Sequence, residues 1–267
     1  MSAQVSGCAT LGETILGRRI ESHVSYLVRH RPTAAPALRL VCFPHAGGGA
    51  NFFRDWHRHL EPSVDVVAVR YPGRENRIDE PLIPTMDALS PQIAEALLAE
   101  APVPTVFLGH SMGAAVAYET LLRLEAAGAD HVTRLCVSGR ALAPRPAAPT
   151  APAAPRTDEE LIAAVTSLGG PHVQIWQDPD LRELFLPIVR NDFHLIDTYR
   201  RREESPLLRA GVMALTGDRD PRVTAGAQEW STVTTGAFTS HVFEGDHFYL
   251  VPHAEQVARL AVARQDA

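Results

Sequence analysis

Residues 105–126 read TVFLGHSMGAAVAYETLLRLEA, and this stretch decides the fold class. Thr105–Gly109 is a short apolar run of β-branched and aromatic residues, the composition of a buried strand. From Met112 to Ala127 the apolar residues recur at helical spacing. Between the two stands Gly109-His110-Ser111-Met112-Gly113. A serine flanked by glycines at a strand-to-helix turn holds its hydroxyl above the sheet edge, because glycine has no Cβ to block a sharp turn. The helix N-terminus beneath favours negative charge developing there. Ser111 is therefore the candidate nucleophile.

Working outward, the same alternation recurs. Leu38–Phe43, Val64–Arg70, Val132–Ser138, Gly211–Thr216 and Phe238–Phe243 read as further strands. Helical spacing is found over Asn51–Leu60, Thr85–Ala101, Arg222–Trp230 and His253–Arg264. Strands that are apolar throughout are covered on both faces, so the pattern predicts an α/β fold with a mostly parallel sheet and right-handed crossovers. Two segments depart from it. Residues 1–24 have no period and read as a poorly ordered extension; a start codon assigned too early explains them equally well. Residues 140–210 are far longer than one crossover helix requires. That stretch opens with Pro144, Pro146, Pro149, Pro152 and Pro155, an extended linker. Thr157 with Glu160 then makes a capping box for a helix through Leu168. Asp178-Pro179 starts a second helix reaching Tyr199, with Pro187 expected to kink it. Its broad apolar face is Leu181, Leu184, Phe185, Ile188, Leu195, Ile196 and Tyr199. An insertion over about residues 144–208 predicts a helical lid over a pocket.

A serine needs a base, and the base needs an orienting carboxylate. In this architecture the acid follows the serine and the histidine comes last. Gly217-Asp218-Arg219-Asp220-Pro221 follows one strand and Gly245-Asp246-His247-Phe248 follows the last. Both sit at carboxyl ends of strands, where open α/β sheets place their sites. Asp220 is preferred to Asp218, which directly follows the strand and suits shaping the turn. His247 is preferred among 12 histidines, since His241 lies within a strand and His253 at the start of a helix. The first strand ends in Phe43-Pro44-His45-Ala46-Gly47-Gly48-Gly49. Such a turn can aim a backbone N–H at the serine, completing an oxyanion hole with the amide of Met112. A phosphate loop fails on detail, lacking both nucleotide-binding glycine patterns and any lysine. His57 and His59, two apart on a helix, diverge and make no metal pair.

Composition narrows the class. All 25 basic residues are arginine against 31 acidic ones, a net charge of −6 that argues against gripping nucleic acid or an anionic membrane. No apolar run approaches the roughly 18–20 residues that span a bilayer. Three scattered cysteines, Cys8, Cys42 and Cys136, suit neither a disulfide framework nor a zinc site. A reducing, cytoplasmic setting is expected.

Taken together, FPHAGGGA (Phe43–Ala50), RYPGRENR (Arg70–Arg77), GHSMGA (Gly109–Ala114), VSGR (Val137–Arg140), GDRDP (Gly217–Pro221) and GDHFYL (Gly245–Leu250) resemble the stand-alone type II thioesterases of polyketide and nonribosomal peptide synthases. The resemblance spans about residues 25–267, and NDFHLIDTY (Asn191–Tyr199) is similar to a lid-helix motif of that family. It implies an α/β-hydrolase domain with a helical lid, catalysis by Ser111, Asp220 and His247, and oxyanion donors at the amides of Ala46 and Met112. It implies no metal or other cofactor. The implied substrate is an acyl group on the phosphopantetheine arm of an acyl or peptidyl carrier protein, cleared when stalled or wrongly loaded. A monomer is the default. The chain departs from the family in having one glycine before the motif's Asp246-His247, in a longer proline-rich linker and in residues 1–24. Residue chemistry alone leaves open a small-molecule carboxylesterase, an acyl-CoA or fatty-acyl thioesterase, and a non-catalytic carrier-binding module.

Overall fold

The apolar runs of the sequence become the strands of one sheet, buried on both faces at its centre. The structure, a computed structural model, describes residues 25–142, 156–169, 173–202, 204–220 and 226–263. The expected extension over residues 1–24 and the proline-rich linker fall outside the described residues. Six strands are the predicted ones: β2 Leu38–Phe43, β3 Val64–Val69, β4 Thr105–His110, β5 Val132–Ser138, β6 Gly211–Gly217 and β7 Phe238–Phe243. The sequence reading missed β1, Leu27–Val28, a two-residue strand too short to leave a period. It pairs antiparallel with β3, Leu27 opposite Val69, and every other pairing is parallel.

The sheet order is β1-β3-β2-β4-β5-β6-β7. The chain leaves β2 in one direction to make β3 and returns past it to make β4, so the order reverses between β2 and β4. A crevice forms at such a switch point, outside the carboxyl ends of the strands. The loops after β2 and β4 both open there, and they are the two that carry Ala46 and Ser111.

Alternation along each strand sorts the core into two layers. Val41, Phe43, Phe107, Leu135 and Val137 face α1 (Met86–Leu98) and α2 (Met112–Ala126). Leu40, Cys42, Leu108, Cys136 and Leu215 face the other side, against Phe53, Trp56 and α5 (Ala254–Val262). The central strands β2 to β6 thus contribute to both layers and show no polar face, whereas β7, at the sheet edge, has no buried residue.

Two expected helices take a tighter form. Asn51–Leu60 is two 3-10 turns, Ala50–Phe53 and Trp56–His59. Of the Arg222–Trp230 prediction, the described residues give a 3-10 turn at Gln228–Val233. In both, buried apolar residues stand three apart within one turn (Ala50 and Phe53, Trp230 and Val233), a spacing that three residues per turn brings to one side.

Between β5 and β6 lie α3 (Asp158–Ser167) and α4 (Pro179–Thr198). The capping box is present, with Glu160 N–H on Thr157 Oγ1 at 3.2 Å and Thr157 N–H on Glu160 Oε2 at 2.8 Å. Asp178 Oδ1 accepts from Asp180 and Leu181, and the helix continues through Pro187. The predicted apolar face of α4 divides. Leu181 and Leu184 remain 39% and 46% exposed, whereas Ile188, Leu195 and Tyr199 are buried, as are Val189 and Phe193, which the prediction did not name. Val189 and Phe193 pack with Leu161 of α3 and with Ala46.

Candidate active site

Ser111 occupies the turn between β4 and α2 with φ 55° and ψ −116°, a left-handed backbone that a side chain rarely adopts. The surroundings enforce it. A Cβ on Gly109 would meet the backbone of Gly113 and Ala114, and one on Gly113 would meet the carbonyls of Phe43 and Pro44. Both flanking glycines are therefore required by contact: the helix start is pressed against the end of β2. Ser111 N–H donates to Ser138 O at 2.8 Å, tying the turn to β5.

The structure brings Asp220 and His247 together from the loops after β6 and β7. His247 Nδ1 lies 2.7 Å from Asp220 Oδ2, with the side chains 3% and 0% exposed. A carboxylate accepts, so this contact places the ring proton on Nδ1 and leaves Nε2 as the ring's acceptor. His247 Nε2 is buried without a hydrogen bond among the described residues, and it shares one cavity with Ser111. The other candidates have different work. Asp218 Oδ1 accepts Gly245 N–H at 2.8 Å, shaping the turn as expected. Asp246 Oδ1 caps Phe248 N–H, and His253 contacts Gln256 and Glu244 O.

The cavity has a volume of about 710 Å³. Ala46, Ser111, Met112 and His247 lie along its floor, and Trp176, Phe185, Ile188 and Phe193 contribute apolar wall. Among the described residues no hydrogen bond from Ala46 N–H or Met112 N–H to protein is found, and both residues line the cavity. Such a cavity, apolar apart from a few convergent polar groups, suits an acyl chain with one reacting carbonyl.

Sequence reasoning passed over His110. Its ring is fully buried and lies 4.9 Å from that of His247, tilted by 40°. Nδ1 contacts Ser138 Oγ at 2.9 Å, and that hydroxyl contacts Tyr249 OH at 2.6 Å. Burial, followed by the imidazoles of His247 and His45, holds the His110 pKa well below the ordinary histidine value. A neutral ring therefore backs His247. The available signal was register: His110 pairs with Ser138 across β4 and β5. Asp192 was missed as well. It is a carboxylate inside the buried stripe of α4, and it forms an ion pair with Arg74.

Comparison with known proteins gives a consistent picture. The family model for the thioesterase domain matches residues 38–264. A probable cadicidin biosynthesis thioesterase of Streptomyces griseus is 40% identical over 237 residues, which cover 87% of this chain and 63% of that relative. Among solved structures, the type II thioesterase BorB from the borrelidin biosynthetic cluster superposes with a TM-score of 0.75 at 37% identity, covering 88% of this chain and 95% of BorB. RedJ, a thioesterase from the prodiginine pathway of Streptomyces coelicolor, superposes with a TM-score of 0.77 at 32% identity, covering 86% of each chain.

Proposed function

The chain belongs to the thioesterase family, and from that premise we propose that it is a type II thioesterase, hydrolysing stalled or aberrant acyl groups from the phosphopantetheine arm of acyl or peptidyl carrier proteins. One observation carries this reading: a strained serine, a buried Asp–His pair and two undonated amides converge on one cavity with apolar walls. The names of the relatives, from cadicidin, borrelidin and prodiginine biosynthesis, support the carrier-bound substrate class.

In this mechanism His247 Nε2 takes the proton of Ser111 as Oγ attacks the thioester carbonyl. Asp220 holds the Nδ1–H tautomer and stabilises the imidazolium. The amides of Ala46 and Met112 receive the oxyanion, and the N-terminus of α2 adds its dipole. Collapse breaks the C–S bond, His247 protonates the leaving pantetheine thiolate, and the acyl group remains on Oγ. Water, deprotonated by the same nitrogen, then attacks the acyl carbon; the C–Oγ bond breaks, His247 returns the proton to Ser111 Oγ, and the carboxylic acid is released. The insertion carrying α3 and α4 is a lid whose apolar side contacts the acyl chain. Two buried free thiols, Cys42 and Cys136, suit a cytoplasmic setting.

Intact-protein mass spectrometry of an acyl-loaded holo carrier protein tests the proposal. The loaded carrier is incubated with wild type and with Ser111→Ala, beside the matching acyl-CoA and p-nitrophenyl ester. Loss of the acyl mass with wild type alone, faster than turnover of either small substrate, is the expected result. A carrier that stays loaded while the simple ester is cleaved would reassign the enzyme as an esterase.

A further inference from the structure

The loop that carries Ala46 contains three consecutive glycines, Gly47, Gly48 and Gly49, and Gly47 has φ 76°. Composition alone gives such a loop many conformations, yet an oxyanion donor is effective only when its position is set before the charge develops. The stiffness has to come from elsewhere in the molecule.

Resting on the serine-hydrolase reading above, we propose that Asp192 of α4 and Arg74 of the loop after β3 are positioning residues: a clamp that sets the Ala46 amide for the oxyanion. Asp192 Oδ2 accepts Gly47 N–H at 2.8 Å. Arg74 Nη1 donates to Gly48 O at 2.8 Å. The two side chains are joined by a fork, Nη1 to Oδ2 and Nη2 to Oδ1, both at 2.9 Å. They are only 5% and 3% exposed, so little solvent weakens the pair. On the other side of Ala46, Tyr71 OH donates to Pro44 O at 3.2 Å, and the Arg74 guanidinium lies 5.1 Å from the centre of the Tyr71 ring. The backbone is thus held at Pro44, Gly47 and Gly48, and the one amide between them without a protein acceptor is that of Ala46 among residues 46–48.

The clamp also says which part of the cavity roof is fixed. Val189 packs so closely over Gly47 that a Cβ there would overlap its Cγ2 at 2.9 Å. Asp192 follows one turn later, and Asn191 Nδ2 donates to Ile83 O at 3.0 Å. Lifting this half of α4 would strand a buried charge, which is strongly unfavourable. The other half carries the exposed Leu181 and Leu184 and has no such tie to the loop. Roof movement that admits substrate therefore belongs to the N-terminal half of α4, while the C-terminal half stays with the oxyanion loop.

Steady-state kinetics of Asp192→Ala, Asp192→Asn and Arg74→Lys, per active site titrated and at a temperature where each remains folded by circular dichroism, test the clamp. Displacing a catalytic group by about 1 Å can cost on the order of a hundredfold. Asp192→Ala is expected to lower kcat about a hundredfold with KM within about threefold, and to weaken a trifluoromethyl ketone inhibitor by the same factor as kcat/KM. Asp192→Asn keeps an acceptor for Gly47 N–H and should lie between, about tenfold down, as should Arg74→Lys. Lowered melting temperatures with kcat and inhibitor affinity unchanged would show a structural ion pair only and overturn the proposal. The ratios are measured on the carrier thioester and on a p-nitrophenyl ester. A wild type inactive on the thioester refutes the substrate assignment, while the ester ratios still decide the clamp.

Discussion

Replacing Asp220 by asparagine, beside the control Asp218→Asn, tests the proposal that Asp220 orients the base while Asp218 shapes a turn. In the native site the Asp220 carboxylate, fully buried, faces His247 Nδ1 at 2.7 Å. Two effects are lost with its charge. At an effective dielectric constant of about 20, a negative charge about 4 Å from the imidazolium centre is worth about 4 kcal/mol. That alone corresponds to about 10³ in rate. An amide also donates toward Nδ1, which moves the ring proton to Nε2, where the base must accept; similar substitutions in serine hydrolases cost about 10⁴. A fall in kcat of about 10³–10⁴ is expected. Asp218→Asn keeps an oxygen for Gly245 N–H and loses only the exposed, 3.6 Å contact with Arg219, so its kcat should stay within about threefold. Single-turnover release of acid from a loaded carrier measures both, with circular dichroism melts to confirm folding. Activity of Asp220→Asn within tenfold of wild type, or an equal loss for Asp218→Asn, would refute the assignment.

Two further expectations concern the frame around the site. Burial pushes the Cys136 thiol up to about 12 and raises that of Cys42 well above its ordinary value. Thiolate, the reactive form, is therefore scarce at pH 8; in a Cys8→Ala background neither thiol should react with Ellman's reagent until denaturant unfolds the protein, and rapid native labelling would contradict the packing. Arg134, 6% exposed, donates to Ala261 O at 2.7 Å and Ala263 O at 2.9 Å at the end of α5. Arg134→Met keeps most of the stem but orphans those carbonyls and removes a cation from a helix C-terminus, so it should cost about 1–3 kcal/mol in urea denaturation. An unchanged midpoint would show that water replaces the guanidinium there.

Six strands and the strand-to-helix turn at Ser111 were legible because their signals are local. TVFLG and GHSMG state their conformation within a few residues, and Thr157 with Glu160 closes its capping box inside one helical turn. Asn51–Leu60 was misread as a helix because buried residues three apart serve a 3-10 turn as well as an α-helix. The two residues of β1 were invisible, since pairing with Val69 and Ala68 of β3, not a pattern of their own, makes them a strand. The apolar face of α4 was overdrawn at Leu181 and Leu184 for a related reason: periodicity reports which residues share a side, and the partner decides how far along the helix that side is covered.

By itself the sequence determined the α/β class, the strained serine and the short list of acids and histidines that follow strand ends. These depend on period, chain order and turn chemistry, which act over a few residues. Only the tertiary structure decided that Asp220 meets His247 across 27 residues, that a neutral His110 backs that ring, and that Arg74 reaches Asp192 across 118. Contacts of that kind exist only when a crossover brings distant segments to one sheet edge. A buried charge must then find its partner there, because no water is left to solvate it.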